Sequence, residues 1–196
     1  MHEYPEGATP LDPDEAEGLL PKHITTRDQL NQWEQANILE AEKWISGRNF
    51  HIENIITMEF IKNLHRRMFG KTWSWAGSFR KSNKNIGVEW YVITSDLSIL
   101  MDDVLYQAKN SVYPAGELAV RFHHRLVSIH LFPNGNGRHA RLMADILLLS
   151  QGESRFPWGK TPTSGDISPV RKQYILALRA ADRMDYLPLM NFSKGN

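Results

Sequence analysis

Apolar residues recur at helical spacing over most of the chain. Leu30, Trp33, Ala41 and Trp44 follow Thr26, which forms a capping box with Gln29, and Gly47 ends the run. Thr57 caps a second stretch, in which Ile61, Leu64 and Met68 form a stripe that Gly70 stops. Ser95 and Asp96 open a third, carrying Leu97, Leu100, Val104 and Ala108, and Pro114 suits position N1 of a fourth, with Ala119, Phe122, Leu126 and Ile129 facing inward. Ala140, Met143, Ala144, Leu147 and Leu148 mark a nearly all-apolar helix expected at the core, and Ser168-Pro169 starts another with Val170, Tyr174 and Leu178. The period changes once. Phe79-Arg80-Lys81 and Val88 to Ile93 flank the polar run Ser82 to Asn85, which predicts an isolated β-hairpin after the tight aromatic loop Trp73 to Gly77. No βα alternation is present, so the expected fold class is mainly α.

Residues 1–22 break this pattern. They hold six acidic side chains and four prolines without a strong period, and they read as an acidic, Pro-rich N-terminal arm laid as a strap over the surface. Residues 23–196 are expected to form a single helical domain, since 196 residues split in two would leave marginal cores. The 23 basic and 22 acidic residues nearly cancel, so no global field draws the chain to nucleic acid or an anionic membrane. The longest greasy run, Ile146 to Leu149, is far too short to span a bilayer, and the first ten residues lack a leader pattern. Zero cysteines exclude disulfides, thiolate metal sites and a cysteine nucleophile, and they fit a cytoplasmic setting.

Candidate chemistry is concentrated between two helices, from His130 to Arg141. A histidine ends one helix and a Gly-rich turn starts the next. Gly135 and Gly137 flank Asn136 and let backbone N–H groups converge where a helix N-terminus adds about half a positive charge, which makes an anion-binding nest. Arg138 and Arg141, three apart on the first turn, are placed to reach further phosphate oxygens, and cations at a helix N-terminus need such a reason. His130 is the side chain here that takes a proton near neutral pH.

These residues resemble the Fic family signature, His-x-Phe-x-(Asp/Glu)-Gly-Asn-Gly-(Arg/Lys)-x-x-Arg, at seven of its eight fixed positions. The resemblance extends over roughly residues 50–190 and implies a Fic-type helical bundle with one small β-hairpin flap. It further implies a protein adenylyltransferase, moving AMP from ATP to a Ser, Thr or Tyr hydroxyl of a target protein. His130 would be the general base and Phe132 the loop anchor. Gly135, Asn136 and Gly137 would hold the α- and β-phosphates, and Arg138 and Arg141 would reach the β- and γ-phosphates. Ile86, Gly87 and Val88 would form the edge on which the target backbone docks. The departure is Asn134, where the family has an acidic residue that helps bind Mg²⁺; an amide oxygen can ligate a hard cation but lacks the charge that favours it.

The whole chain is also similar to the subgroup called mobile mystery protein B, which implies a small helix-turn-helix, antitoxin-like partner. The inhibitory pattern (Ser/Thr)-x-x-x-Glu-(Gly/Asn) found in many family members is absent. Inhibition is therefore lacking, uses another glutamate such as Glu34 or Glu40, or comes from a partner. Removing either glutamate is expected to change transfer by less than about tenfold.

Other readings of the segment are weaker. Its G-x-G-x-x-A run lacks the strand that a dinucleotide fold requires, and no Gly-Lys-Ser/Thr makes a Walker A loop. His123 and His124 point about 100° apart on a helix, against a metal site; His123 is expected to be partly buried and His139 at the surface. Two functional alternatives stay open: a catalytically weak nucleotide-binding module, and transfer of another phosphate-linked group such as UMP or a phosphoryl group.

Overall fold

A computed structural model describes residues 13–159 and 168–196. Its helices are α1 (Pro13–Ala16), α2 (Arg27–Ile45), α3 (Ile52–Ile55), α4 (Met58–Phe69), α5 (Ile93–Lys109), α6 (Ala115–Ile129), α7 (Asn136–Ser150), α8 (Ser168–Ala181) and α9 (Leu187–Ser193). The local signals operate as expected at α2 and α4. The Thr26 hydroxyl accepts from the Gln29 amide while the Gln29 side chain accepts from the Thr26 amide, and Thr57 accepts from the Phe60 amide. Such caps stabilise a helix by about 1 kcal/mol each.

α7 runs through the middle of the bundle. Leu142 to Leu148 and Ala140 are all buried, and they pack against Phe122, Leu126 and Ile129 of α6 and Ile61, Leu64 and Met68 of α4. Each large apolar side chain buried this way favours folding by about 1.5–3 kcal/mol. A smaller cluster joins Val120 of α6 to Ala177 and Ala181 of α8 and to Leu189 and Phe192 of α9. α6 is thus packed between the two clusters.

The hairpin expected from 79 to 93 is not present. Among the described residues there is no β-strand, and the isolated bridge joins Leu19 to Trp73. The backbone amides of the two limbs turn to the end of α6 and the residues after it, the Arg80 amide donating to the Leu131 carbonyl at 3.0 Å and the Val88 amide to the Ile129 carbonyl at 3.4 Å, while the limbs meet each other through the side chains of Arg80 and Asn83. The second limb tightens into a 3₁₀ turn over Trp90–Val92 that runs straight into α5. That helix therefore begins at Ile93, ahead of Ser95. Pro114 is the N-cap of α6, not its first residue.

The described part of the N-terminal arm lies across the Trp73–Trp75 loop and the flap segment. The Leu20 amide donates to the Thr72 carbonyl and the Ser74 amide to the Gly18 carbonyl, both at 2.9 Å. Trp75 Nε1 donates to the Glu15 carbonyl at 2.9 Å, and the Glu15 carboxylate pairs with Lys84 Nζ at 2.5 Å. The Lys84 side chain is only 2% exposed. Among the described residues no helix is long and apolar enough to cross a membrane.

Candidate functional site

His130 closes α6 in the left-handed region, with φ 58° and ψ 66°. A non-glycine residue there costs on the order of 1–3 kcal/mol and persists only when its surroundings fix it. They do so from two sides. The His130 amide donates to the Leu126 carbonyl at 3.2 Å, and its carbonyl accepts from Arg80 Nε at 2.6 Å.

The chain then dives inward. Phe132 is fully buried, with its ring stacked on His65 at 3.7 Å and edge-on to His139 at 5.1 Å. The Asn136 side chain latches the same residue. Its Oδ1 accepts from the Phe132 amide at 2.9 Å, and its Nδ2 donates to the Phe132 carbonyl at 2.7 Å. Gly135 is the N-cap of α7 at φ +80°, and a Cβ there would lie 2.6 Å from the Phe69 ring, so the position accepts no side chain.

His65 supports this turn from α4. Its Nδ1 accepts from the Gly77 amide at 3.0 Å, which leaves the proton on Nε2 to donate to the Asn134 carbonyl at 3.0 Å. Sequence reasoning missed His65. The available signal was a polar residue set within the apolar stripe of Ile61, Leu64 and Met68. His123 and His139 were both placed too near the surface. Each is fully or almost fully buried, His123 against Tyr174 and Trp158, and His139 with its Nε2 on the Ile61 carbonyl at 3.0 Å.

The first α7 residue to donate back into the helix is His139, to the Gly135 carbonyl at 2.9 Å. The amides of Asn136, Gly137 and Arg138 precede it, and no side chain caps them. Their aligned dipoles present partial positive charge just beyond His130. The two arginines diverge. Arg138 turns toward α2, where its Nη1 pairs with Glu34 Oε2 at 2.6 Å and its guanidinium lies 4.9 Å from the Phe69 ring centre. Glu34, 5% exposed, also accepts from Trp73 Nε1 at 2.7 Å. Arg141 lies instead over the Tyr174 ring at 5.2 Å. Glu40, the other glutamate considered, pairs with Lys71 on the surface.

Burial pushes the His130 imidazole down to about 4, helped by the charges of Arg80 and Lys84 and opposed by a hydrogen bond to the Val127 carbonyl. The ring is therefore neutral, with a lone pair to offer, at neutral pH. The flap segment reaches this residue: Gly87, at φ +98°, passes so close that a Cβ would lie 2.5 Å from His130 Cβ. Ile86 beside it is exposed and Val88 half-buried.

The residues at this turn do not fit a protein-held Mg²⁺. Asn134 offers one neutral amide oxygen, which already accepts from the Gly135 amide at 2.5 Å, and its backbone carbonyl is taken by His65. The nearby carboxylate of Glu34 is committed to Arg138 and Trp73. Among the described residues no three His, Asp or Glu side chains gather as a metal site.

Residues 55–148 match the Fic/DOC family. The protein adenylyltransferase Fic of Drosophila mojavensis is 32% identical over 142 residues, which are 70% of this chain and 26% of that protein. The Aedes aegypti protein of the same name is 33% identical over 116 residues, 57% of this chain and 23% of that protein. The chain thus spans about a quarter of the length of these curated relatives. Among solved structures, the N-terminal FIC domain of Bep8 from Bartonella sp. 1-1C has a TM-score of 0.68 at 16% identity, covering 89% of this chain and 87% of that one. BepC from Bartonella tribocorum, solved with bound AMPPNP, has a TM-score of 0.66 at 16% identity, covering 92% and 95%. The histidine-capped helix, the buried phenylalanine and the glycine-led helix N-terminus all lie within residues 55–148, the stretch that matches the Fic/DOC family.

Proposed function

We propose that this chain is a protein adenylyltransferase that moves AMP from ATP to a Ser, Thr or Tyr hydroxyl of a target protein. The observation that carries this reading is the juxtaposition at the α6–α7 turn. A neutral histidine, fixed by its backbone, stands beside a helix N-terminus whose first amides are uncapped. The target hydroxyl oxygen attacks the α-phosphorus as His130 takes its proton. The bond from the α-phosphorus to the bridging oxygen breaks, and pyrophosphate leaves with the electron pair. The amides of Asn136, Gly137 and Arg138 oppose the phosphate charge, and a donor aimed at transition-state charge contributes roughly 2.7–4 kcal/mol. Arg141 reaches the outer phosphates directly, and Arg138 does so once it leaves Glu34. The names of the relatives and the AMPPNP bound by BepC support ATP as the donor.

The flap segment brings the target backbone to His130 along Ile86, Gly87 and Val88, although its own form is irregular and not a hairpin. The setting is cytoplasmic on this reading. A small helix-turn-helix protein is the companion that the subgroup resemblance offers, and co-purification with such a protein tests it.

The test incubates the chain with Mg²⁺, α-labelled ATP and a cell lysate. Label on protein that disappears in His130→Ala, while ATP still raises the thermal midpoint of that variant, is the expected result. Undiminished label in His130→Ala overturns the role of the histidine. One observation favours a second reading, a nucleotide-binding module with weak turnover: Asn134 is neutral and Glu34 occupies Arg138. In that case ATP stabilises the fold without labelled product, and Asn134→Asp restores Mg²⁺-dependent binding. Label from the γ-position of ATP, or from α-labelled UTP, would instead identify phosphoryl or UMP transfer.

A further inference from the structure

We propose that Arg80 is a positioning residue: its buried guanidinium locks the flap segment onto the carbonyl end of α6 and so fixes His130 for transfer. The proposal rests on the reading of His130 as the base.

Arg80 is 2% exposed and heads the fully buried side chains in volume. Its nitrogens reach four backbone carbonyls on two separate strips of chain. Nε donates to His130 at 2.6 Å and Nη2 to Ile129 at 3.3 Å, on the α6 side. Nη1 donates to Ser82 at 2.8 Å and Nη2 also to Val88, on the flap side. None of these acceptors is a carboxylate. A guanidinium taken out of water needs compensating negative charge, and here it comes from the end of α6, where unsatisfied carbonyls carry about half a negative charge. The carboxylates of Glu89 and Glu15 favour the charged form from a distance, while burial lowers the guanidinium pKa.

The arrangement explains two oddities together. His130 holds a left-handed backbone because that conformation presents its carbonyl to Arg80 Nε. Gly87 lies against His130 Cβ because Ser82 and Val88, on either side of it, are pulled onto the same guanidinium; its own missing Cβ would also meet Arg80 Nη2 at 2.9 Å. The backbone bonds Arg80 to Leu131 and Val88 to Ile129 extend the seam. Lysine could not replace this side chain, since a single ammonium lacks the planar fork that spans both strips. The charged groups facing His130 are Arg80 and Lys84, both from the flap side, and α6 itself contributes the Val127 carbonyl.

The experiment compares the wild-type chain with Arg80→Lys, Arg80→Met and His130→Ala. In Arg80→Lys, label transfer from α-labelled ATP to lysate protein is expected to fall at least about tenfold, with KM for ATP and ATP-induced thermal stabilisation within about twofold of wild type. In Arg80→Met, the His130 imidazole, followed by ¹⁵N NMR, is expected to titrate above the midpoint measured for the wild-type chain, toward the ordinary 6.5, because a neighbouring positive charge is gone. Transfer by Arg80→Lys within about twofold of wild type, or an unmoved midpoint in Arg80→Met, would overturn the proposal. Should both variants fail to fold, hydrogen exchange on the wild-type chain decides: the Arg80 Nε–H and the Val88 amide share one protection factor, each taken against its own intrinsic rate, if a single lock holds both, and have separate ones if it does not. Label that persists in His130→Ala defeats the reading of the base, while the titration and exchange results still judge the lock.

Discussion

At the scale of single residues, Asn136 carries more of the turn than its place in the motif conveys. The Gly-Asn-Gly pattern points to phosphate, yet the side chain is spent on both backbone groups of Phe132, leaving the Asn136 amide to face a ligand. Asn136→Ala would strand a buried N–H and a buried carbonyl at a residue with no solvent access. The fold is expected to lose about 2–4 kcal/mol, read as a lower urea midpoint at unchanged slope. Asn136→Asp keeps the acceptor and loses the donor, so it should fall between alanine and wild type in the same titration. His65 teaches a related lesson. Its position within an apolar stripe was visible, but its partners, Gly77 and Asn134, lie on loops whose approach to α4 no local pattern encodes.

Among elements, the contact of α2 with α7 decides how open the nest is. Glu34 takes one nitrogen of Arg138 while Trp73 holds the other carboxylate oxygen, so the ion pair is oriented and half-shielded from screening. Glu34→Gln keeps the acceptor for Trp73 and releases the charge on Arg138. ATP affinity is expected to rise about threefold to tenfold by calorimetry, whereas Glu40→Gln, at an exposed pair with Lys71, should leave it unchanged. A fall in affinity for Glu34→Gln would mean the pair braces the site instead of occupying it. The helices themselves were legible because a cap such as Thr26 or Thr57 makes its bonds within a few residues. The segment from 79 to 93 was not. Its alternation favours strands, but Arg80 and Val88 find partners about fifty and forty positions away, and a long-range bond outcompetes local pairing without leaving a trace in spacing.

For the molecule as a whole, four histidines set the response to acid. His65, His123, His130 and His139 are all buried with pKa values below the ordinary 6.5, the last two at about 4, chiefly because burial disfavours the charged ring. The unfolded chain then binds more protons than the folded one between those limits. Stability is full above 6.5 and is lost as pH falls toward 4, by roughly 2 kcal/mol each for His130 and His139 at pH 5. Urea midpoints measured from pH 7.5 to 5 should fall monotonically, and a flat profile would contradict the burial of these rings. The arm across the surface has a different kind of consequence. Through Glu15 and Lys84 it grips the flap segment, and through Trp75 it grips the loop beneath. Tension applied ahead of Pro13, by a fused reporter or a threading unfoldase, would therefore be borne first by the segment that faces His130, so that mechanical load would distort the α6–α7 turn before it unravelled a core helix.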